Sequence, residues 1–223
     1  DNEEDIQIAK GEQLSVLFAY KNGNSYLAQH DEMTSALLVL NPNPNQDVQW
    51  LNQSYLNDDS VLKMRIAIKP KVVPRKTATN YFCQYFNIKK AISDVTKLPE
   101  DTSYHALAFH AFNDNPEILH HTLIYFCDAR FLPLISLNES FDQESFDCNG
   151  KMPPGCYQPL AIYAVGMTDI VFPPEAAPMW GTGASQIVML ENHYEIPYKY
   201  LEENSNDDII DRSGYDVYFT NKL

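Results

Sequence analysis

Apolar residues in this chain come in short runs that alternate with polar ones at period two and are cut by clusters of Asn, Asp, Gly and Pro. In residues 62–68, Leu62, Met64, Ile66 and Ile68 alternate with Lys63, Arg65 and Ala67. Side chains on a strand point to opposite faces in turn, so this pattern makes one face apolar and predicts that Met64, Ile66 and Ile68 face a core. Fourteen prolines and fourteen tyrosines, with turn residues between the runs, fit antiparallel β-structure with few or no helices. The fold class read from the pattern is all-β, an antiparallel sandwich of jelly-roll-like type.

The run at 14–20, followed by Asn22-Gly23 and then Tyr26-Leu27-Ala28, predicts a hairpin with a type I′ turn. Residues 36–40 and 48–51 are expected as further strands, split by the Asn-Pro-Asn-Pro-Asn loop at 41–45. Strands are also expected at 81–86, 104–112, 119–126, 160–165, 186–194, 198–201 and 215–220, with an acidic loop at 202–211 before the last of them. No repeat, heptad or low-complexity tract is present.

The formal net charge of −14, with sixteen thinly spread Lys and Arg, argues against a nucleic-acid partner, which needs a clustered basic surface. No apolar stretch approaches the roughly 20 residues of a transmembrane span. The start, Asp1-Asn2-Glu3-Glu4-Asp5, lacks the basic and apolar regions of a signal peptide, so an exported protein is expected here in its mature form. The four cysteines, Cys83, Cys127, Cys148 and Cys156, are even in number, and no Cys-x-x-Cys pair occurs. Two disulfides are therefore expected over a zinc or thiolate site, with three pairings open. Together with the Asn-x-Ser triplets at Asn52 and Asn138, they predict a secreted or otherwise extracytoplasmic protein.

The chemistry-bearing residues are histidines. His120 and His121 lie inside the apolar run 118–127, and His193 closes the run before Tyr194. Imidazoles held on rigid strands suit copper, zinc, iron or nickel. Adjacent residues on a regular strand face opposite ways, so His120 and His121 reach one ion only at a bulge, an edge or a twisted end. His30 reads as a solvated loop residue. His105 and His110, five apart on one strand, are expected to face opposite ways and to serve structure. Acidic groups such as Asn57-Asp58-Asp59 and Asn206-Asp207-Asp208 read as solvated surface rather than as paired catalytic carboxylates. A sandwich that binds a ligand or partner through its loops, with Trp180 as a contact and zinc or no metal, is the competing function.

The segments Tyr81-Phe82-Cys83, residues 119–127, 149–156 and 160–166, Met189-Leu190-Glu191-Asn192-His193-Tyr194, and residues 214–220 occur in an order that resembles the N-terminal catalytic domain of the copper type II, ascorbate-dependent monooxygenases. The resemblance covers residues 61–223 and leaves 1–60 as an additional β-rich segment. It implies one copper ion held by His120, His121 and His193, with ascorbate as reductant. It also implies disulfides Cys83–Cys148 and Cys127–Cys156. The implied role is the electron-transfer half of an enzyme that hydroxylates aliphatic C–H bonds of a small-molecule or peptide substrate. Two departures stand out: Thr122 occupies the place of the family's methionine after the paired histidines, and no His-x-His pair is present. Oxygen activation is thus expected from a second copper domain or subunit as partner.

Overall fold

The computed structural model describes the backbone of residues 13–20 and 32–39, and residues 54–99, 102–128, 130, 144–151, 153–156, 158–164, 169–182, 186–202 and 209–222. Strands β1 (Gln13–Tyr20) and β2 (Glu32–Val39) belong to one compact unit, and the described residues from Ser54 onward belong to another. In the first unit β1 pairs antiparallel with β2, from Gln13 opposite Val39 to Tyr20 opposite Glu32. The strand expected at 36–40 is therefore a partner of β1. Asn22-Gly23, Tyr26–Ala28, His30, the strand at 48–51 and the asparagines Asn52 and Asn138 of the Asn-x-Ser triplets lie outside the described residues.

The second unit is an antiparallel sandwich. Its strands are β3 (Leu62–Ala67), β4 (Lys71–Val73), β5 (Thr79–Asn87), β6 (Tyr104–Phe112), β7 (Leu119–Cys127), β8 (Phe146–Asp147), β9 (Gln158–Ala164), β10 (Ile170–Val171), β11 (Met179–Trp180), β12 (Ile187–Glu195), β13 (Ile209–Asp211) and β14 (Gly214–Thr220). One sheet runs β10-β6-β14-β3, with β11 also on β6; the other runs β8-β5-β12-β7-β9; β4 and β13 form a separate ribbon. Met64, Ile66, Phe109, Tyr215 and Val217 from the first sheet share one core with Phe82, Phe86, Ile124, Val188 and Leu190 from the second. Met64, Ile66 and Ile68 are buried, as period two requires. Trp180 is fully buried, its indole N–H directed at Met64 Sδ, which removes it as a surface contact.

Among the described residues, two α-helices break the β pattern. Helix α1 (Ile88–Thr96) follows β5 directly: the Asn87 side chain accepts from the Lys90 N–H at 3.0 Å as N-cap, and Ile88, Ala91 and Ile92 bury one face. Lys97, at φ 58°, ends it in a left-handed cap. The strand expected at 198–201 is instead the one-turn helix α2 (Tyr198–Glu202). Pro197 presets a helical φ there, and the Tyr200 N–H donates to its carbonyl at 2.9 Å. On β6 the pairing with β14 slips between Tyr218 and Phe219, which leaves Leu107 as an extra residue. Tyr104 and Ala106 before this bulge, and Phe109 after it, all face the core. His105 and His110 consequently share the outer face, where His105 Nδ1 meets Ala177 O at 3.0 Å and His110 Nδ1 meets Asp169 at 2.6 Å.

Gly214 opens β14 opposite Ala67, where the strand lies close beside β3. A Cβ there would overlap the Ile66 carbonyl oxygen and lie 2.6 Å from Ala67 Cα, both backbone atoms that cannot rotate away. Gly214→Ala is expected to cost more than about 3 kcal/mol in urea denaturation, beyond ordinary overpacking of a core. Two residues on, the buried Asp216 carboxylate accepts from Arg65 Nε at 2.7 Å and Nη2 at 2.9 Å, and meets Lys63 Nζ at 2.8 Å. The Arg65 hydrogen bonds hold its carboxyl below the usual 3.8, with Lys63 adding to the effect against the cost of burial. A depressed folded value means that this stabilisation is complete above pH 3.8 and is lost as pH falls through the lower folded value. Asp216→Asn is expected to lose about 1–2 kcal/mol at pH 7, between exposed and buried ion pairs, and less at pH 3. Denaturation midpoints at the two pH values check this.

Candidate metal centre

The second sheet has two apolar faces, and this decides where the histidines sit. On β12, Val188, Leu190 and Tyr194 point into the sandwich core, whereas Ile187 and Met189 point outward into a second cluster with Cys83, Tyr125, Cys127, Cys148 and Cys156. Disulfides Cys83–Cys148 and Cys127–Cys156 form the cover of this outer layer. By alternation Glu191, His193 and Glu195 share the outward face. His193 pairs with His121 on β7, and the next residue, Tyr194, pairs with Leu119, so His120 is the extra residue of a bulge. The bulge cancels the alternation that would separate His120 from His121.

All three imidazoles converge through Nδ1. His120 to His193 is 3.1 Å, His120 to His121 is 3.2 Å and His121 to His193 is 3.3 Å. The centre of such a triangle is roughly 1.8 Å from each corner, so one ion with bonds of about 2.0 Å fits just off the plane of the nitrogens. The donor set, three imidazole nitrogens, suits a copper or zinc ion. Burial first, and then the neighbouring imidazoles, lower His193 to about 3; burial and His120 lower His121 to about 4. Both rings are thus neutral at pH 7, with lone pairs available to an ion.

The surroundings fix the rings. Tyr81 stacks flat on His193, with centroids 4.1 Å apart and planes 4° from parallel. Below the sheet, Thr122 and Asn192 face each other across the β7–β12 ladder, and the Thr122 hydroxyl donates to Asn192 Oδ1 and to the Glu191 carbonyl. Tyr215, from the opposite sheet, donates to the Thr122 carbonyl at 2.8 Å. Asn192 Nδ2 continues the network to the Tyr194 hydroxyl at 3.0 Å and the Ser213 carbonyl at 3.1 Å. The Tyr194 hydroxyl in turn donates to the fully buried Asp211 at 2.6 Å. Thr122, in place of a methionine, therefore bonds inward and is not turned toward the three imidazoles.

The structure brings together His120, His121 and His193, while His105 and His110 lie on the other sheet. Sequence reading missed Glu191 and Glu195, each 3.9 Å from a ring Nε2 of His121 and His120 respectively. The signal was present as Glu-x-His-x-Glu, three charged or ligating residues on one strand face. Sequence reading also placed Asp211 at the end of an acidic loop, although this carboxylate ends β13 inside the protein.

Residues 64–200 match the family model of the copper type II ascorbate-dependent monooxygenase N-terminal domain. Tyramine beta-hydroxylase of Caenorhabditis briggsae is 27% identical over 58% of this chain and 21% of its own length. Dopamine beta-hydroxylases of Canis lupus familiaris and Rattus norvegicus are 27% and 26% identical over 68% and 69% of the chain. The chain spans only 22% of either of those two relatives. With the fold, the two disulfides and the match over most of the sandwich in agreement, the chain belongs to the copper type II ascorbate-dependent monooxygenases through their N-terminal domain.

Proposed function

We propose that His120, His121 and His193 hold a single copper ion through their Nδ1 atoms and that this domain is the electron-handling half of a copper monooxygenase. The observation that carries the reading is the convergence of three imidazole Nδ1 atoms within 3.1–3.3 Å of one another on a rigid sheet. The ion's chemistry is a one-electron cycle between Cu(I) and Cu(II), with ascorbate as reductant. The chain supplies the rest. The bulge at His120 aims two adjacent rings at one point, Tyr81 holds the His193 ring by stacking, and the Thr122–Asn192 pair ties the two ligand strands together from below. A site fixed in this way changes little in shape when its charge changes, which lowers the reorganisation that accompanies electron transfer.

The full reaction proposed is insertion of one oxygen atom into an aliphatic C–H bond of a small-molecule or peptide substrate. It is completed by a second copper domain or subunit that activates oxygen. Two disulfides and the hydroxylase relatives support an oxidising, extracytoplasmic location. Among the described residues no helix is long and apolar enough to cross a membrane.

Copper titration of the metal-free protein is expected to saturate at one ion per chain, with nitrogen hyperfine structure in the Cu(II) resonance. Ascorbate is expected to bleach that signal. The competing reading is a zinc or metal-free binding module, since three histidines and an open position also suit zinc. A protein that takes up zinc but no copper, or neither, would sink the proposal.

A further inference from the structure

The carboxylates beside the histidines have no part in holding the ion, yet their placement is regular. Glu191 and Glu195 lie two residues before and two after His193 on β12, and so on the same outward face. Glu191 Oε1 is 3.9 Å from His121 Nε2, and Glu195 Oε2 is 3.9 Å from His120 Nε2. Each therefore stands behind the ring nitrogen that points away from the Nδ1 triangle. At 3.9 Å these are ion-pair distances and not hydrogen bonds, so the interaction is one of charge through space. His193 is treated differently: its Nε2 is buried without a hydrogen-bond partner among the described residues, and its ring stacks on Tyr81.

The two carboxylates also differ from each other. Glu191 is 5% exposed, packed with Oε2 3.9 Å from Cys83 of the Cys83–Cys148 disulfide, a neutral neighbour. Among the described residues no lysine or arginine lies within ion-pair distance of it. Burial raises its pKa and also keeps bulk water from screening a charge placed there. The Glu195 side chain is 43% exposed and is screened by water.

We propose that Glu191 and, more weakly, Glu195 set the redox balance of the centre by stabilising Cu(II) over Cu(I), acting through His121 and His120. The inference rests on the copper reading above. Three neutral imidazoles leave the full charge of the ion uncompensated; two carboxylates behind the rings offset it, and the offset is worth more for the doubly charged ion. Glu191 and Glu195 are thus tuning residues that touch neither the ion nor a substrate.

Glu191→Gln and Glu195→Gln remove one charge each and keep shape. Copper(I) affinity by competition with a Cu(I) chelator, Cu(II) affinity by titration, and the reduction potential of the same samples form the test. For Glu191→Gln the Cu(II) affinity is expected to fall about tenfold more than the Cu(I) affinity. That ratio corresponds to a rise of about 59 mV for a one-electron couple. Glu195→Gln is expected to change in the same direction by a smaller factor. Equal losses in both oxidation states, or an unchanged potential, would overturn the proposal by reducing the glutamates to a structural role. If the buried Glu191→Gln does not fold, Glu195→Gln decides alone: a raised potential supports the proposal and an unchanged one overturns it. Failure of the copper reading is seen separately, as wild-type protein that binds no copper.

Discussion

His193→Ala protein is expected to bind copper at least about a hundredfold more weakly than wild type, more than the 10- to 100-fold that loss of an outer-shell partner typically costs. The same loss is expected for His120→Ala and His121→Ala, because each Nδ1 is one corner of a single triangle. A two-nitrogen remnant loses both a bond and the enclosure that excludes competing ligands. His105→Ala and His110→Ala are the controls. Both rings lie on the other sheet and are engaged by Ala177 and Asp169, so their removal leaves copper stoichiometry at the wild-type level. Copper content after dialysis and the number of coupled nitrogens in the Cu(II) resonance read the outcome. Copper retained in all three triad variants would show that the ion sits elsewhere.

Paired alanine replacement of Cys83 and Cys148 is expected to cost about 4 kcal/mol of stability and to lower the melting temperature by about 10 °C. The bond closes a loop of 65 residues, so its loss restores considerable freedom to the unfolded chain. Cys127 and Cys156 close a loop of 29 residues, and their removal is expected to cost only slightly less, because loop entropy grows with the logarithm of length. Alanine is the suitable replacement, since Cys83 and Cys156 are fully buried and a serine hydroxyl would lack a partner there. Calorimetry measures the shift. Copper binding is expected to remain at one ion per chain in whichever variant stays folded at the assay temperature, as neither disulfide involves His120, His121 or His193.

Local pattern carried most of the strands. Period-two alternation at 62–68 depends on residues within one strand, and Met64, Ile66 and Ile68 are buried accordingly. The same reasoning failed at 198–201, where Tyr198, Tyr200 and Leu201 look strand-like and Pro197 starts a turn of helix. It failed also at His105 and His110. Counting residues assigns them to opposite faces, but the bulge at Leu107 turns the strand by one position. A bulge is set by the partner strand, which a local window does not contain.

The histidine pair shows where that division falls. Sequence by itself determined that His120, His121 and His193 stand on apolar strands, that the chain is a β-sandwich protein with cysteines in a number fit for two disulfides, and that adjacent histidines need an irregular strand to act together. Tertiary structure alone decided that the irregularity exists: β12 pairs with β7 so that Tyr194 opposes Leu119 and His120 is left over. It also decided that Glu191 and Glu195 stand behind the rings, and that Thr122 and Asn192 bind the two strands from the core side. Alternation within a strand is local, whereas register between strands is settled by which whole faces can be buried together.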